Sequence, residues 1–190
     1  MARLRIEPPC RLALIGLMGS GKSAAGRRAA ARAGWRFVDL DEEAAARAGR
    51  SIAAVFAEAG EETFRDLETE ILAEVVEGPG NLVAATGGGV VLRPGNRELL
   101  ARAFRVVWLD VDPATAAARI GEAEGRPLLS GTEPVEDALE RVWAARREHY
   151  EALADILVPV GPGRSLEDVA ATLAALCGTG EDHTPSSPTR

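Results

Sequence analysis

Residues 11–23 read Arg-Leu-Ala-Leu-Ile-Gly-Leu-Met-Gly-Ser-Gly-Lys-Ser. Arg11–Leu17 is a short apolar run that takes in a glycine, the pattern of a buried strand. Gly16–Ser23 matches G-x-x-x-x-G-K-[ST] in full. Ser23–Ala33 is rich in alanine and arginine and stops at Gly34, a helix with glycine past its end. Strand, glycine loop and helix in that order let successive backbone N–H groups converge on phosphate oxygens, and the helix start adds a positive dipole end. Gly19, Ser20, Gly21, Lys22 and Ser23 are therefore candidate triphosphate contacts. Lys22 would reach the β- and γ-phosphates, and the Ser23 hydroxyl would take one Mg2+ position. A glycine turn that only joins strand to helix is disfavoured, because pattern and context are both met.

The rest of the composition frames that loop. The 190 residues suit one domain; 46% are hydrophobic and 27% charged, ordinary for a globular chain with a core. A net charge of -7 argues against a sequence-independent grip on nucleic acid. Lys22 is the only lysine among 22 basic side chains, and it falls inside the motif. There a point charge on a flexible stem does what the planar arginine fork would not. Cys10 and Cys177 have no metal-ligand spacing and read as plain thiols. No apolar run reaches membrane-spanning length, and Met1–Pro9 has no secretory pattern, so the expected compartment is the cytoplasm.

Beyond the loop, strands alternate with helices. Trp35–Asp41 reads as a strand, followed by a helix from about Glu42 to Ala48. Ile52–Val76 reads as an amphipathic helix with a break at Gly60. Asn81–Thr86 is a third strand closing on Gly87-Gly88-Gly89. Arg97–Ala103 is a short helix, Arg105–Val111 a strand and Pro113–Ile120 a helix. Gly121–Gly131 is a glycine-punctuated loop, the candidate mobile lid. Pro134–Ala154 reads as one long helix, Asp155–Val160 as the fifth strand and Leu166–Leu176 as a last helix opened by Ser165. This order predicts an α/β fold: one three-layer α/β/α domain with a five-stranded parallel sheet, ligands sitting beyond the carboxyl ends of the strands. Residues 1–10 are an N-terminal extension, 11–177 the domain, and 178–190 a polar tail of disordered composition.

Several charged residues fall where the ligands would sit. Alternation along Phe37–Asp41 predicts that Asp39 and Asp41 share a face about 7 Å apart, beside the phosphate loop. One would enter the Mg2+ shell and the other accept a hydrogen bond or proton from an attacking hydroxyl. The alternative makes Asp41 a helix N-cap and Asp39 a turn residue. Asp110, ending an apolar strand, is a rival metal ligand that spacing alone does not exclude. Arg146 lies on the apolar stripe of the long helix, between Trp143 and Tyr150, so it needs an ion-pair partner or an anionic ligand. Arg65 borders the stripe of its own helix, and a surface pair with Glu61 or Glu68 is its simplest explanation. Arg119 and Arg126 bracket the lid loop and would bring positive charge onto phosphates. The run Gly87–Gly89 lets a small molecule approach backbone, or is only a turn.

In this order the residues resemble shikimate kinase. The matching segments are GLMGSGKS at 16–23, FVDLD at 37–41, GRSIAAVFAEAGEETFRDLE at 49–68, TGGGVV at 86–91, GRPLL at 125–129 and RREHY at 146–150. The resemblance spans about residues 11–176 and is far more specific than the phosphate loop alone. It implies Ser23 and Asp39 as magnesium positions, which breaks the tie with Asp110. It implies Asp41, Arg65, Gly88 and Arg146, with Gly87 and Gly89 beside them, as shikimate-binding residues. It implies Arg126 as the lid arginine that reaches ATP, Arg119 as the one against adenine, and Arg164 as a further adenine contact. Ala24 joins the nucleotide-binding positions, although a second hydroxyl residue is usual there. The reaction implied is transfer of the γ-phosphoryl of ATP to the 3-hydroxyl of shikimate, Mg2+-assisted, by a cytoplasmic monomer of aromatic amino-acid biosynthesis. Lys22, Asp41 and Arg126 would be catalytic, with no nucleic acid or membrane partner. The nearest rival is a related kinase acting on gluconate. A GTP switch with an Asn-Lys-x-Asp box is excluded, since Lys22 is the only lysine.

Overall fold

The computed structural model describes residues 10–120 and 133–178. Strands β1 (Arg11–Ile15), β2 (Arg36–Asp39), β3 (Leu82–Ala85), β4 (Arg105–Asp110) and β5 (Ile156–Pro159) form one parallel sheet in the order β2-β3-β1-β4-β5. The helices are α1 (Lys22–Ala33), α2 (Leu40–Ala48), α3 (Ile52–Glu77), α4 (Pro94–Ala103), α5 (Pro113–Ile120), α6 (Val135–Ala144), α7 (Arg147–Leu153) and α8 (Leu166–Gly178). The expected five-stranded parallel α/β architecture is the one observed. The stretches expected to be the lid and the tail, 121–131 and 179–190, lie outside the described residues, as does the extension up to residue 9.

Strand alternation sorts the core into two layers. Leu12 and Leu14 of β1, Val83 of β3, and Val107 and Leu109 of β4 meet α1, α6 and α8 on one face. Ala13 and Ile15, Leu82 and Ala84, Val106 and Trp108 meet α2, α3, α4 and α7 on the other. Every strand residue just named is buried. Gly60 keeps the predicted break as a kink, with φ 83° inside an otherwise continuous α3. It lets Phe56 pack on Phe64 across the bend, ring centroids 4.9 Å apart.

Three expectations change. The long helix is two: α6 stops at Ala144 and α7 starts at Arg147, with Arg146 at φ -121°, ψ -18°. Its apolar positions do not form one stripe, because Ala138, Leu139 and Val142 pack into the first layer while Tyr150 packs into the second. A straight helix cannot face both. Second, β2 ends at Asp39 and Asp41 belongs to α2. Third, β3 lies between β2 and β1, so the second strand is not adjacent to the phosphate loop's strand.

At the exit of β1 the chain must turn sharply against β4. Gly16 has φ 135°, and a methyl there would lie 2.5 Å from the Leu109 carbonyl oxygen. Gly16→Ala should therefore destabilise the fold by about 2–4 kcal/mol, strain and overlap together. Urea unfolding followed by circular dichroism checks this; an unchanged midpoint would show that the turn relaxes freely.

Candidate functional site

The phosphate loop runs from Gly16 into α1, whose first residue is Lys22. Lys22 is buried, and its Nζ donates to Gly16 O at 2.9 Å, Leu17 O at 3.0 Å and Ser20 Oγ at 3.3 Å. The ammonium is thus held inside the curl of the loop. A cleft of about 530 Å3 opens over it. Met18 to Ala24 form its floor. Asp41, Thr86 and Gly88 line the part toward β3, and Arg119, Ile120, Val160, Arg164, Leu166 and Val169 line the part toward β5. Arg164 is anchored by Nη1 to Pro159 O at 3.2 Å and Nη2 to Thr172 Oγ1 at 2.8 Å. Arg126 lies outside the described residues.

Asp39 and Asp41 do not share a strand face. Asp39 is the N-cap of α2: its Oδ1 accepts from the N–H of Asp41 at 3.0 Å and of Glu42 at 3.4 Å. The cap falls on the strand's last ladder position, Asp39 opposite Ala85, and turns Asp41 into the helix's first turn. The cap was expected at Asp41 if anywhere; it is at Asp39. Both cap bonds use the same oxygen of a buried carboxylate. Neither Asp39 nor its rival Asp110 is among the residues that line the cleft; burial pushes the Asp110 carboxyl above the usual range, with Arg147, Asp112 and Glu151 also acting on it. As a donor set, the Ser23 hydroxyl and the Asp39 carboxylate are hard oxygens of the kind Mg2+ takes alongside phosphates. Among the described residues there is no cluster of three acidic, His or Cys side chains that would hold a metal alone.

The glycines Gly87–Gly89 after β3 gather the charged residues. A methyl on Gly87 would lie 2.6 Å from Glu68 Oε1 and 2.7 Å from Asp41 Oδ1. On Gly88 it would lie 3.4 Å from Arg146 Nη1, and on Gly89 within 2.3–2.4 Å of the Arg65 guanidinium. Glycine at 87 and 89 leaves room for Glu68, Asp41 and Arg65, while the Arg146 contact at Gly88 is of ordinary length. Asp41, Arg65 and Arg146, distant in sequence, are therefore brought to one place.

The surface pair expected for Arg65 is half right. Arg65 donates to Glu61 at 3.0 Å and to Glu68 at 2.8 Å, yet only 5% of Arg65 and 1% of Glu68 is exposed. Glu68 is the residue that sequence reasoning missed as part of a site; its position three residues after Arg65 was the available signal. Burial pushes its carboxyl up to about 7 against the pull of Arg65, and Asp41 adds to the rise. Its Oε1 is buried without a hydrogen-bond partner, and so is Arg146 Nη1. Two orphaned polar atoms beside one glycine run are what a bound polar ligand would satisfy.

Comparisons with known proteins point to one family. A sequence model described as shikimate kinase matches residues 18–177. A shikimate kinase of Symbiobacterium thermophilum is 47% identical over 164 residues, covering 85% of this chain and 92% of that protein. The solved structure of shikimate kinase from Acinetobacter baumannii in complex with shikimate superposes with a TM-score of 0.84 at 32% identity, over 90% of this chain and 93% of that one. A gluconokinase from Sinorhizobium meliloti superposes at 0.51 with 19% identity over 90% of this chain and 94% of that one, a likeness of fold alone.

Glu68 also gives a pH signature. The folded chain keeps a proton that the unfolded chain releases near 4.5. The stability this group contributes is complete below about pH 4.5 and is lost as pH rises to about 7. Measured by urea unfolding across that window, the unsubstituted protein should lose stability relative to Glu68→Gln as pH increases. A difference that stays flat from pH 4 to 7.5 would mean that Glu68 titrates alike in the folded and unfolded chain.

Proposed function

The chain belongs to the shikimate kinase family, and from that premise we propose how its own residues phosphorylate the 3-hydroxyl of shikimate with ATP. The observation that carries the reading is the meeting of Asp41, Arg65 and Arg146 on Gly87–Gly89, with Asp41 and Gly88 on the wall of the cleft that the phosphate loop floors. An acceptor bearing a carboxylate and hydroxyls matches two guanidinium forks and one carboxylate.

In this reading the loop amides and Lys22 hold the β- and γ-phosphates, and Gly19, Ser20, Gly21 and Ala24 shape that cradle. Arg119 and Arg164 would serve the adenine end, and Arg126, outside the described residues, would contact the transferring phosphoryl group as the family resemblance implies. Arg65 and Arg146 bind the acceptor's carboxylate and ring substituents, with the Gly87–Gly89 backbone against the ring. Asp41 orients the 3-hydroxyl and takes its hydrogen bond as the new O–P bond forms and the bond to the β-phosphate oxygen breaks. Ser23 and the uncapped oxygen of Asp39 would hold Mg2+, which would supply neutralisation of phosphate charge. Each described residue given a role here comes from one chain, in keeping with a monomer, and the free thiols Cys10 and Cys177 suit a reducing cytoplasm.

A coupled ADP-release assay with shikimate tests the assignment against gluconate. Rapid turnover with gluconate and none with shikimate would overturn it. Asp41→Asn should lower kcat about 10²–10⁴-fold while ATP binding, followed by calorimetry, persists; near-normal turnover would remove Asp41 from the mechanism. Lys22→Met should abolish transfer in the same assay.

A further inference from the structure

Tyr150 is the only tyrosine in the chain, and it is fully buried. Its ring stacks on Trp108, centroids 5.9 Å apart and planes 28° from parallel. Its hydroxyl donates to the carbonyl oxygen of Gly88 at 2.5 Å. Burial pushes the phenol up to about 12, while Arg146 pulls it back. The group thus stays a protonated donor at any working pH.

That hydrogen bond acts on two acceptor-side groups together. No described peptide is cis, so holding the Gly88 carbonyl toward Tyr150 turns the Gly89 N–H to the opposite side of the same peptide plane. Gly88 in turn lies against the phosphate loop: a methyl there would be 3.3 Å from Gly16 O and 3.6 Å from Met18 N. Tyr150 also belongs to the turn that sets Arg146, since its N–H donates to Arg146 O at 3.0 Å. We propose that Tyr150 is a positioning residue for the acceptor: its hydroxyl fixes the Gly88 peptide and, with it, the relative placement of the glycine run and the Arg146 guanidinium. The role rests on the acceptor reading above.

Tyr150→Phe keeps the ring and its stack but leaves a buried carbonyl without its donor. In the ADP-release assay, KM for shikimate should rise about tenfold, with KM for ATP within about twofold and kcat within about threefold. Replacing tyrosine by 3-fluorotyrosine during expression alters this one site and retains the hydroxyl, so that protein should keep the unsubstituted KM. A lowered Tm with both KM values unchanged, or both raised together, would reduce Tyr150 to a packing residue and overturn the role. Should Tyr150→Phe not fold, the single fluorine resonance of the labelled protein decides. It should shift on saturation with shikimate without nucleotide, and a stationary resonance would overturn the role. No shikimate-dependent ADP release from the unsubstituted protein would instead refute the acceptor reading, and this role with it.

Discussion

Three consecutive residues without side chains, Gly87 to Gly89, govern how charge is arranged in this protein. They end β3 where four ionisable groups from α2, α3 and the α6–α7 junction converge. Any Cβ on Gly87 or Gly89 would overlap a carboxylate or a guanidinium. Bringing two guanidiniums and two carboxylates out of water is costly unless each charge finds a partner. Arg65 and Glu68 neutralise each other in part, and burial raises the Glu68 carboxyl to about 7. Glu61 also pairs with Arg65, so the carboxylates of Asp41, Glu61 and Glu68 offset the two guanidiniums. Within the cluster, Arg146 Nη1 is the buried donor left without a hydrogen bond, and it is the group that a small anionic acceptor would meet, although the whole chain carries -7.

The second organising feature is the break at 145–146. It lets one stretch of chain serve both layers of the core, α6 packing against α5 in the first and α7 against β4 in the second. Arg146 sits at the break itself, where its carbonyl accepts from both His149 and Tyr150. A helical residue would point along a fixed face; a residue at the junction is aimed by the packing of both helices. Arg146 is buried yet directed at Gly88 for that reason.

Much of this was legible in the sequence, and the gaps have physical causes. The strand–loop–helix at 11–33 was plain because phosphate binding by backbone demands glycines at fixed offsets. The kink at Gly60 was readable for a similar reason. The end of β2 was misjudged: period-2 alternation through Phe37–Asp41 is satisfied by a strand, and only the cap bonds from Asp39 reveal the helix start. The break at Ala145–Arg146 left no glycine or proline as a signal, since both halves keep good helix formers and only tertiary packing separates them. Glu68 was hidden because an Arg65–Glu68 spacing of three looks the same on an exposed face as on a buried one.

The same glycine run also ties the acceptor side to the donor side. Thr86, immediately before it, bonds through both its N–H and its hydroxyl to Leu14 O of β1. A Cβ on Gly88 would lie 3.3 Å from Gly16 O and 3.6 Å from Met18 N in the phosphate loop. With the acceptor on the glycine run as proposed, its separation from the phosphate loop is set by neighbouring stretches of main chain. In-line phosphoryl transfer gains most of its rate from holding nucleophile and phosphorus at close approach. A spacing fixed by main chain on both sides meets that demand more rigidly than one fixed by side-chain rotamers. Lys22, held by three hydrogen bonds inside the loop, keeps its charge fixed beside that spacing.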